Sequence, residues 1–300
     1  MQERNNYIGG SDAAAVLGLS RFSTPLQVWA LKTGQIQADD ISDRIEVKLG
    51  NKLEQTVAEF FMEETGKKVV RKNETLFHPK YPFLGANIDR RVVGENAVLE
   101  CKTTTMFKYR EWSDDLIPQE YLLQVLHYMA VGGFQKGYIA CLIGNHKFVW
   151  KEIARDEDMI NDLVSKEVRF WNTFVVPKVM PATVSANDSD ALYKLFQPVK
   201  VGSEIALGDE LDKMAEHIDS MEADKKALDS QIEQAENELK VKLGDNEIGI
   251  GNSWKATWKL QMQRRVNSEL LKQEFPAVYE KCSRPIETRV LRIMEKKEAK

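Results

Sequence analysis

One stretch of this 300-residue chain decides its fold: residues 89–102, which read Asp-Arg-Arg-Val-Val-Gly-Glu-Asn-Ala-Val-Leu-Glu-Cys-Lys. Two apolar runs, Val92-Val93 and Ala97-Val98-Leu99, flank Gly94-Glu95-Asn96. Glycine and asparagine tolerate the positive φ that a hairpin loop needs, and apolar runs on both sides of such a loop are typical of paired strands. We therefore predict a β-hairpin in which Val93 lies opposite Ala97.

Charged residues occur on both strands of this predicted hairpin. The predicted pairing places Asp89 opposite Cys101. Because successive side chains of a strand point to opposite faces, Glu100 and Lys102 share a face, and Cys101 points the other way into packing. The pattern therefore predicts one face that carries chemistry and one face that belongs to the core.

The predicted chemical face combines two carboxylates with an amine. Mg²⁺ prefers octahedral oxygen coordination and keeps several waters, so Asp89, Glu100 and the backbone carbonyl of Cys101 are sufficient protein ligands, with Mn²⁺ as a substitute ion. Lys102 would orient or deprotonate an attacking water, or stabilise developing negative charge. These residue types predict a metal-dependent phosphodiesterase site. The other reading of the same pattern is a cross-strand ion pair on a solvated face.

Five motifs resemble those of one nuclease family. Asp89 followed by Glu100-Cys101-Lys102 resembles the D…(D/E)-x-K signature of the restriction-endonuclease-like superfamily. The flanking motifs resemble the YqaJ-like viral recombinase family, which is related to phage lambda exonuclease. They are Ile8 to Gly18, Thr24 to Trp29, the Gly-x-x-x-Glu of Gly50 to Glu54 and the Gln-x-x-x-Tyr of Gln124 to Tyr128. Together they cover roughly the first half of the chain and are more specific than any one motif.

The resemblance assigns roles to three further polar residues. It implies that Glu54, at the border of a predicted apolar helix stripe, is an acid of the metal shell, directly or through water; the residues alone equally allow a rim position. Gln124 and Tyr128 are four residues apart and share one helical face. The family pattern places that face against the active site, whereas by themselves they are equally compatible with hydrogen-bonded core residues.

The amino-terminal segment is a candidate site for a DNA end. Ser11 or Asp12 is predicted as the N-cap of a helix, whose free N–H groups suit an anion. Arg4, seven residues before Ser11, matches the spacing of the family's pair that holds a terminal 5′-phosphate. The alternative is an ordinary helix cap with a solvated Arg4 at the terminus.

Composition predicts a cytoplasmic protein. The cysteines at 101, 141 and 282 form neither a CxxC pair nor an even set, which favours a reducing compartment and excludes a readable iron–sulfur site. No signal region follows Met1 and no segment has the roughly 18 apolar residues of a membrane span, so we expect no membrane partner. The resemblance implies a phage or prophage protein that acts in the cytoplasm of a bacterial host.

The chain divides by charge and pattern into two predicted domains. Residues 1–181 are predicted as the nuclease core, an α/β (α+β) fold with a mixed central sheet flanked by helices. Within it, helices are predicted near 11–18, 24–33, 50–66, 118–131 and 156–175, and strands near 68–77, 84–93, 97–104 and 136–151. The net charge of −4 is uneven, because 13 acidic and 5 basic residues lie between Glu204 and Asp245. The remaining residues carry a net charge of +4, so we expect DNA binding to be focused into a channel rather than spread over a broad patch.

Residues 182–300 are predicted as a helical arm with a small α+β tail. Apolar residues from Leu207 to Leu239 keep a 4-3 spacing that only Lys225 interrupts, which is typical of coiled-coil-like helices. In the tail we predict a strand over 254–263, a helix over 268–275 and a strand over 288–294. The arm is expected to pack against another helix of this chain or of a partner.

The resemblance implies a specific activity. It implies Mg²⁺-dependent 5′→3′ degradation of one strand of double-stranded DNA, which leaves a 3′ single strand for a recombination annealing protein. It also implies a homo-oligomeric ring, a trimer, around the duplex. Two alternatives remain open: an end-independent endonuclease of the same superfamily, and a DNA-binding or adaptor protein with a vestigial acidic cluster.

Overall fold

The computed structural model describes residues 4–198, 200–284 and 289–294, and the chain forms two compact units, Met1–Val199 and Lys200–Lys300. The helices of the first unit are α1 (Gly10–Val16), α2 (Pro25–Lys32), α3 (Ile45–Thr65), α4 (Gln119–Gly132), α5 (Glu157–Phe170) and α6 (Ser189–Leu195). Its strands are β1 (Val69–Arg71), β2 (Leu76–Phe77), β3 (Gly85–Ala86), β4 (Arg90–Val92), β5 (Ala97–Thr104), β6 (Lys136–Ile143) and β7 (Lys147–Ala154). A 3₁₀ segment, Met106–Trp112, follows β5.

A five-stranded sheet organises the first unit. Its strand order is β1-β4-β5-β6-β7, in which β5 and β6 are parallel and the other neighbours are antiparallel. The predicted mixed sheet flanked by helices is therefore confirmed. The parallel step is made by α4, which crosses from the end of β5 to the start of β6, as parallel strands require.

Buried apolar side chains cover both faces of the central strands. On one face, Val57 and Phe61 of α3 pack with Ala97 and Leu99 of β5. On the other face, Val98 belongs to the larger core formed with α1, α4 and α5. Because this part of β5 is covered on both sides, Glu100 is held away from bulk water. This position sets the unusual environment of Glu100.

The register of the β4–β5 hairpin differs from the prediction by one residue. Leu99 pairs with Arg90, where the predicted register gives Arg91. Residues opposite one another on an antiparallel pair of strands share a face of the sheet. Pairing Val93 with Ala97 would therefore place the half-exposed Val93 on the same face as the buried Ala97. Val93 instead belongs to the loop. Burial of the Ala97 face therefore selects the register.

Two predicted strands are each divided between two sheets. The prediction over 68–77 corresponds to β1 and β2, and the prediction over 84–93 corresponds to β3 and β4. β2 and β3 form a separate two-stranded sheet, and the segment around β3 also bonds the amino-terminal chain: the Ile8 N–H donates to Phe83 O at 2.8 Å. Each predicted strand therefore breaks where the chain changes from one sheet to the other. Local sequence patterns do not encode this change of pairing partner.

Residues 182–198, which the sequence assigned to the second domain, lie in the first unit. Asp188 is buried, accepts a hydrogen bond from the Thr24 hydroxyl and also accepts the Val184 N–H at 2.8 Å. The Gln27 side chain donates to Asn187 O at 2.8 Å. The predicted boundary at 181 therefore falls inside this unit.

The second unit is dominated by α7 (Asp209–Leu243), the predicted long helix. It also contains β8 (Ile248–Ile250), β9 (Lys255–Thr257), α8 (Ser268–Glu274) and α9 (Pro276–Cys282). The strand expected over 254–263 is limited to β9, whose one neighbour β8 is only three residues long. Of the strand expected over 288–294, Thr288 lies outside the described residues and 289–294 are not a strand. Among the described residues, no helix is long and apolar enough to cross a bilayer.

Candidate active site

The β4–β5 hairpin brings Asp89 and Glu100 to one face of the sheet. Asp89 directly precedes Arg90, the partner of Leu99, so it lies across from Glu100 and not, as predicted, from Cys101. The backbone N–H of Cys101 donates to Asp89 Oδ2 at 2.8 Å. Burial, and next the charge of Glu100, raise the pKa of Asp89 to about 8. Two carboxylates are thus held close together in a poorly hydrated position.

Lys102 and Gln124 bind the Glu100 carboxylate from two sides. Lys102 Nζ lies 2.5 Å from Glu100 Oε1, and Gln124 Nε2 donates to the same oxygen at 2.7 Å. Lys102 Nζ also donates to Gln124 Oε1 at 3.0 Å. Burial lowers the pKa of Lys102, but Glu100 more than offsets this effect and the pKa is raised. Lys102 is therefore a charged ammonium group at the carboxylate cluster.

Helix α4 covers the cluster with two buried polar side chains. Gln124 and Tyr128 are one turn apart and both buried, and Gln124 Nε2 lies 2.7 Å from the Tyr128 hydroxyl. Burial raises the pKa of Tyr128 well above its ordinary value, so the phenol keeps its proton. A second aromatic residue of α4, Tyr121, lies beneath the Lys102 amine, whose nitrogen is 4.8 Å from the ring centroid. The predicted shared face of α4 does meet the β5 face.

Glu54 lies on α3, on the other side of the hairpin. Its carboxylate is bound by the buried guanidinium of Arg90 and lies 3.4 Å from Arg71. The same guanidinium nitrogen of Arg90 also donates to Asp89 O at 2.7 Å, and the charge of Glu54 contributes to the raised pKa of Asp89. The structure thus brings Glu54 near the cluster but pairs it with arginine. The resemblance-based role as a metal-shell acid stays a prediction.

Arg90 and Tyr121 are the two site neighbours that sequence reasoning missed. The signal for Arg90 was present, because it alternates with Val92 on the buried face of β4 and follows Asp89 directly. A buried arginine needs an acidic partner, and Glu54 is that partner. Tyr121 carried no comparable signal, since its place beneath Lys102 depends on how α4 crosses the sheet.

The amino-terminal segment packs against the same cluster. Arg4 donates a hydrogen bond to the Ser11 hydroxyl, so the two predicted phosphate-binding residues are in contact. A Cβ added to Gly10 would lie 2.4 Å from Tyr128 Cε1 and 3.1 Å from Gln124 Cγ. The start of α1 therefore touches the site directly. Its N-cap is Gly9 and not Ser11 or Asp12: the helix begins at Gly10, and the Gly9 N–H donates to Asp12 Oδ2 at 2.9 Å.

The carboxylate cluster has the properties of a cation site. Glu100 Oε2 is buried without a hydrogen-bond partner, and a buried anionic oxygen without a partner is costly. A hard divalent ion between Asp89 and Glu100 would satisfy that oxygen and remove the repulsion that raises the pKa of Asp89. The role of the Cys101 backbone carbonyl as a third ligand stays a prediction. In the part of the chain that the structure describes, no group of three or more His, Cys, Asp or Glu side chains could hold a metal.

The Cys101 side chain lies apart from this chemistry. It packs with the core beneath α3, on the opposite face of β5 from Glu100 and Lys102, as predicted from strand periodicity. Burial raises the pKa of its thiol, so the thiol stays protonated. Cys101 therefore contributes to the cluster through its backbone, which donates to Asp89.

The fold and the motifs have counterparts among known proteins. Residues 1–135 match the YqaJ-like viral recombinase domain. The uncharacterized protein YqaJ of Bacillus subtilis (strain 168) is 38% identical over 296 residues, which is 98% of this chain and 92% of that protein.

Two solved structures are also similar. The crystal structure of an alkaline exonuclease (LHK-Exo) from Laribacter hongkongensis aligns with a TM-score of 0.50 and 18% identity, over 59% of this chain and 91% of that one. A phage-related exonuclease from Haemophilus somnus 129PT aligns with a TM-score of 0.42 and 13% identity, over 59% of this chain and 100% of that one. The first unit has the restriction-endonuclease-like fold. The hairpin of this fold carries the Asp89 to Lys102 motif, and the Bacillus subtilis relative matches 98% of the chain. The chain therefore belongs to the YqaJ-like viral recombinase family.

Proposed function

We propose that the protein is a metal-dependent deoxyribonuclease that degrades double-stranded DNA from its ends. The observation that carries this proposal is the pair Asp89 and Glu100, held on one buried face with Lys102 beside them and with Glu100 Oε2 unsatisfied. Glu167 Oε2 is also buried without a partner, but Glu167 is paired with His127, whereas Glu100 has a second carboxylate and an amine beside it, which is the arrangement that suits a metal ion and a phosphate. The name of the Laribacter neighbour, an alkaline exonuclease, is consistent with this activity.

Asp89, Glu100 and the Cys101 carbonyl are the proposed ligands of Mg²⁺, for which Mn²⁺ is expected to substitute. When bound, the ion supplies charge neutralisation at the scissile phosphate and an acidified water. Lys102 then stabilises negative charge on the phosphate, because its pKa is raised and it remains protonated. Gln124 holds Glu100 and Lys102 in place, and Tyr128 fixes Gln124 through a hydrogen bond.

The position of the amino-terminal segment favours digestion from an end. Arg4 and Ser11 are the proposed binding groups for a terminal 5′-phosphate, and the adjoining Gly10 is in van der Waals contact range of Tyr128. A guanidinium and a hydroxyl together suit a phosphate dianion. Anchoring a 5′ end this close to the cluster is consistent with 5′→3′ polarity. The proposed product is a 3′ single strand for an annealing protein, made by a homo-oligomeric ring, a trimer.

The test is digestion of end-labelled linear and closed-circular duplexes with Mg²⁺, with Mn²⁺ and with EDTA. The proposal expects cleavage of linear DNA only, dependent on either ion, and faster on a 5′-phosphate than on a 5′-hydroxyl. Arg4→Ala is expected to remove most of that preference while the chemistry continues. Cleavage of circles at equal rate would favour the endonuclease alternative. A folded protein that binds duplex DNA without cleaving it in either ion would favour the adaptor alternative.

A further inference from the structure

Helix α7 carries an apolar stripe that the proposed chemistry does not use. We name this surface the α7 stripe: Leu211, Met214, Ile218, Met221, Leu228, Ile232 and Leu239. Together with Lys225 and Ala235, its residues follow the alternating spacing of three and four that defines positions a and d of a heptad. Most of them are exposed, Leu228 and Ile232 each at 57%. A stripe of this length is expected to be covered by another helix.

The residues that border the α7 stripe are acidic. Positions e and g flank a coiled-coil seam and set the choice of partner by charge. On α7 the charged residues at these positions are Glu222, Asp229 and Glu236 on one side and Glu210, Asp224 and Glu238 on the other. No lysine or arginine occupies an e or g position between 210 and 243. The lysines of α7 lie at positions other than e and g. The border is therefore acidic because of where the charges lie on the helix, and not only because the helix is acidic overall.

This border disfavours a second copy of the same helix. Two α7 helices, parallel or antiparallel, would place acidic flanks beside acidic flanks, and like charges at such pairs are destabilising. In a parallel pair in register, Lys225 would also face Lys225 within the seam. Charge complementarity instead requires lysine or arginine at the flanking positions of the partner.

We propose that the α7 stripe binds one amphipathic helix of a partner protein, whose apolar seam is bordered by basic residues. The apolar contacts supply the affinity, and the basic flanks opposite the six acidic residues select the partner. Lys225 interrupts the seam and fixes the register by requiring a polar or acidic residue opposite it. This interaction is independent of the nuclease site.

The test uses the full-length protein and two synthetic helices of about four heptads. Both carry leucine at a and d except for one asparagine at the position that would face Lys225; one has lysine at e and g, and the other has glutamate there. Binding is measured by fluorescence anisotropy at physiological salt. The lysine peptide is expected to bind at least about tenfold more tightly than the glutamate peptide, from several flanking pairs of a few tenths of a kcal/mol each.

Two triple variants with the same change of charge separate the flank from the bulk charge of the helix. Glu222→Lys, Asp229→Lys and Glu236→Lys change one flank of the α7 stripe. Asp212→Lys, Asp219→Lys and Glu233→Lys change position b on the outer face. The flank variant is expected to lose the preference for the lysine peptide or reverse it, and the outer-face variant to keep it. Equal loss in both variants would overturn the proposal, because attraction by net charge alone would then account for binding.

A stripe variant tests the apolar part. Leu228→Asp changes an exposed residue, so the protein is expected to stay folded by circular dichroism and to lose the lysine peptide. Sedimentation equilibrium of the same variant identifies the other occupants. A fall in mass relative to the unmodified protein would mean that the stripe joins two copies. Failure of the unmodified protein to bind either peptide would mean that its own chain covers the stripe. Either result contradicts the proposal.

Discussion

Glu100 has one carboxylate oxygen bound by Lys102 and Gln124 and another buried without a partner. This asymmetry explains how one residue serves both the fold and the chemistry. The bonded oxygen holds the side chain in one orientation without metal, and the second oxygen is left for a ligand. Preorganisation of this kind reduces the cost of binding a cation and a phosphate at the same place.

Conservative substitutions in the cluster are predicted to remove cleavage without unfolding the protein. Asp89→Asn, Glu100→Gln and Lys102→Met remove a charge while keeping much of the side-chain volume, and each is expected to lower turnover by roughly 10²-fold or more. Cleavage of linear duplex in Mg²⁺ is the measurement, with thermal melting as the check on folding. Cys101→Ala is the control, because it keeps the backbone groups and is expected to remain substantially active. A folded variant with near-normal turnover would remove that residue from the site.

The raised pKa of Asp89 predicts how the stability of the metal-free protein depends on pH. The pKa rises from 3.8 to about 8 on folding, so between these values the folded state binds more protons than the unfolded state. Stability from this group is therefore complete below about pH 4 and is lost as the pH rises towards 8. Melting in EDTA is expected to show this loss, and Asp89→Asn to reduce it. Added Mg²⁺ is expected to stabilise the unmodified protein at pH 8 and to have little effect on the variant.

At the scale of elements, the contact of α1 with α4 couples the amino-terminal segment to the site. Gly10→Ala would place a Cβ 2.4 Å from the Tyr128 ring, so α1 or the ring must move. Overpacking of this kind costs about 1–3 kcal/mol, and displacement of Tyr128 is expected to lower turnover as well. The matched control is Gly9→Ala, whose nearest neighbours would be 3.7 Å away. Urea unfolding and cleavage rates check both effects. Equal behaviour of the two variants would contradict the coupling.

A buried ion pair joins α4 to α5, and its histidine also contacts β3. His127 Nδ1 lies 2.8 Å from Glu167 Oε1, and His127 Nε2 lies 2.9 Å from Gly85 O. Burial lowers the pKa of His127, but Glu167 more than offsets this and the pKa is raised. His127→Ala leaves the Glu167 carboxylate buried and unpaired, so we predict a loss of about 3–5 kcal/mol. Adding Glu167→Leu is expected to restore much of it in urea unfolding. An additive double variant would contradict the pairing.

The elements show which parts of the fold local sequence can predict. Alternation along β5 places Glu100 and Lys102 on one face and Cys101 on the other, and helical periodicity places Gln124 with Tyr128; both follow from backbone geometry alone. The hairpin register did not follow, because it depends on which residues α3 buries. The pairing of Glu54 with Arg90 did not follow either, since it joins a helix to a strand 36 residues along the chain. Local sequence patterns thus predict the elements themselves, but not the contacts between them.

At the scale of the molecule, the division at residue 199 predicts where the chain can be shortened. Asp188 accepts hydrogen bonds from Thr24 and Val184, and Ala191 of α6 is buried in the core of the first unit. A protein that ends at 181 lacks these residues and leaves the buried Thr24 hydroxyl without its acceptor. We therefore predict that it melts at a lower temperature or aggregates. A protein that ends at 199 keeps them and is expected to unfold cooperatively and to cleave DNA with Mg²⁺.

Helix α7 has the opposite charge balance from a DNA-binding surface, since it lies in the stretch with 13 acidic and 5 basic residues, and the second unit as a whole has a net charge of −2. Removal of this unit is therefore expected to leave the initial cleavage rate of the shortened protein within about threefold of the full-length rate at low salt. Parallel assays of the proteins ending at 181, 199 and 300, each with thermal melting and Mg²⁺ binding, separate the possibilities. If the protein ending at 199 is folded and binds Mg²⁺ but does not cleave, the second unit contributes to catalysis or to DNA binding. If the proteins ending at 181 and 199 melt alike, residues 182–198 do not support the first unit as their hydrogen bonds indicate.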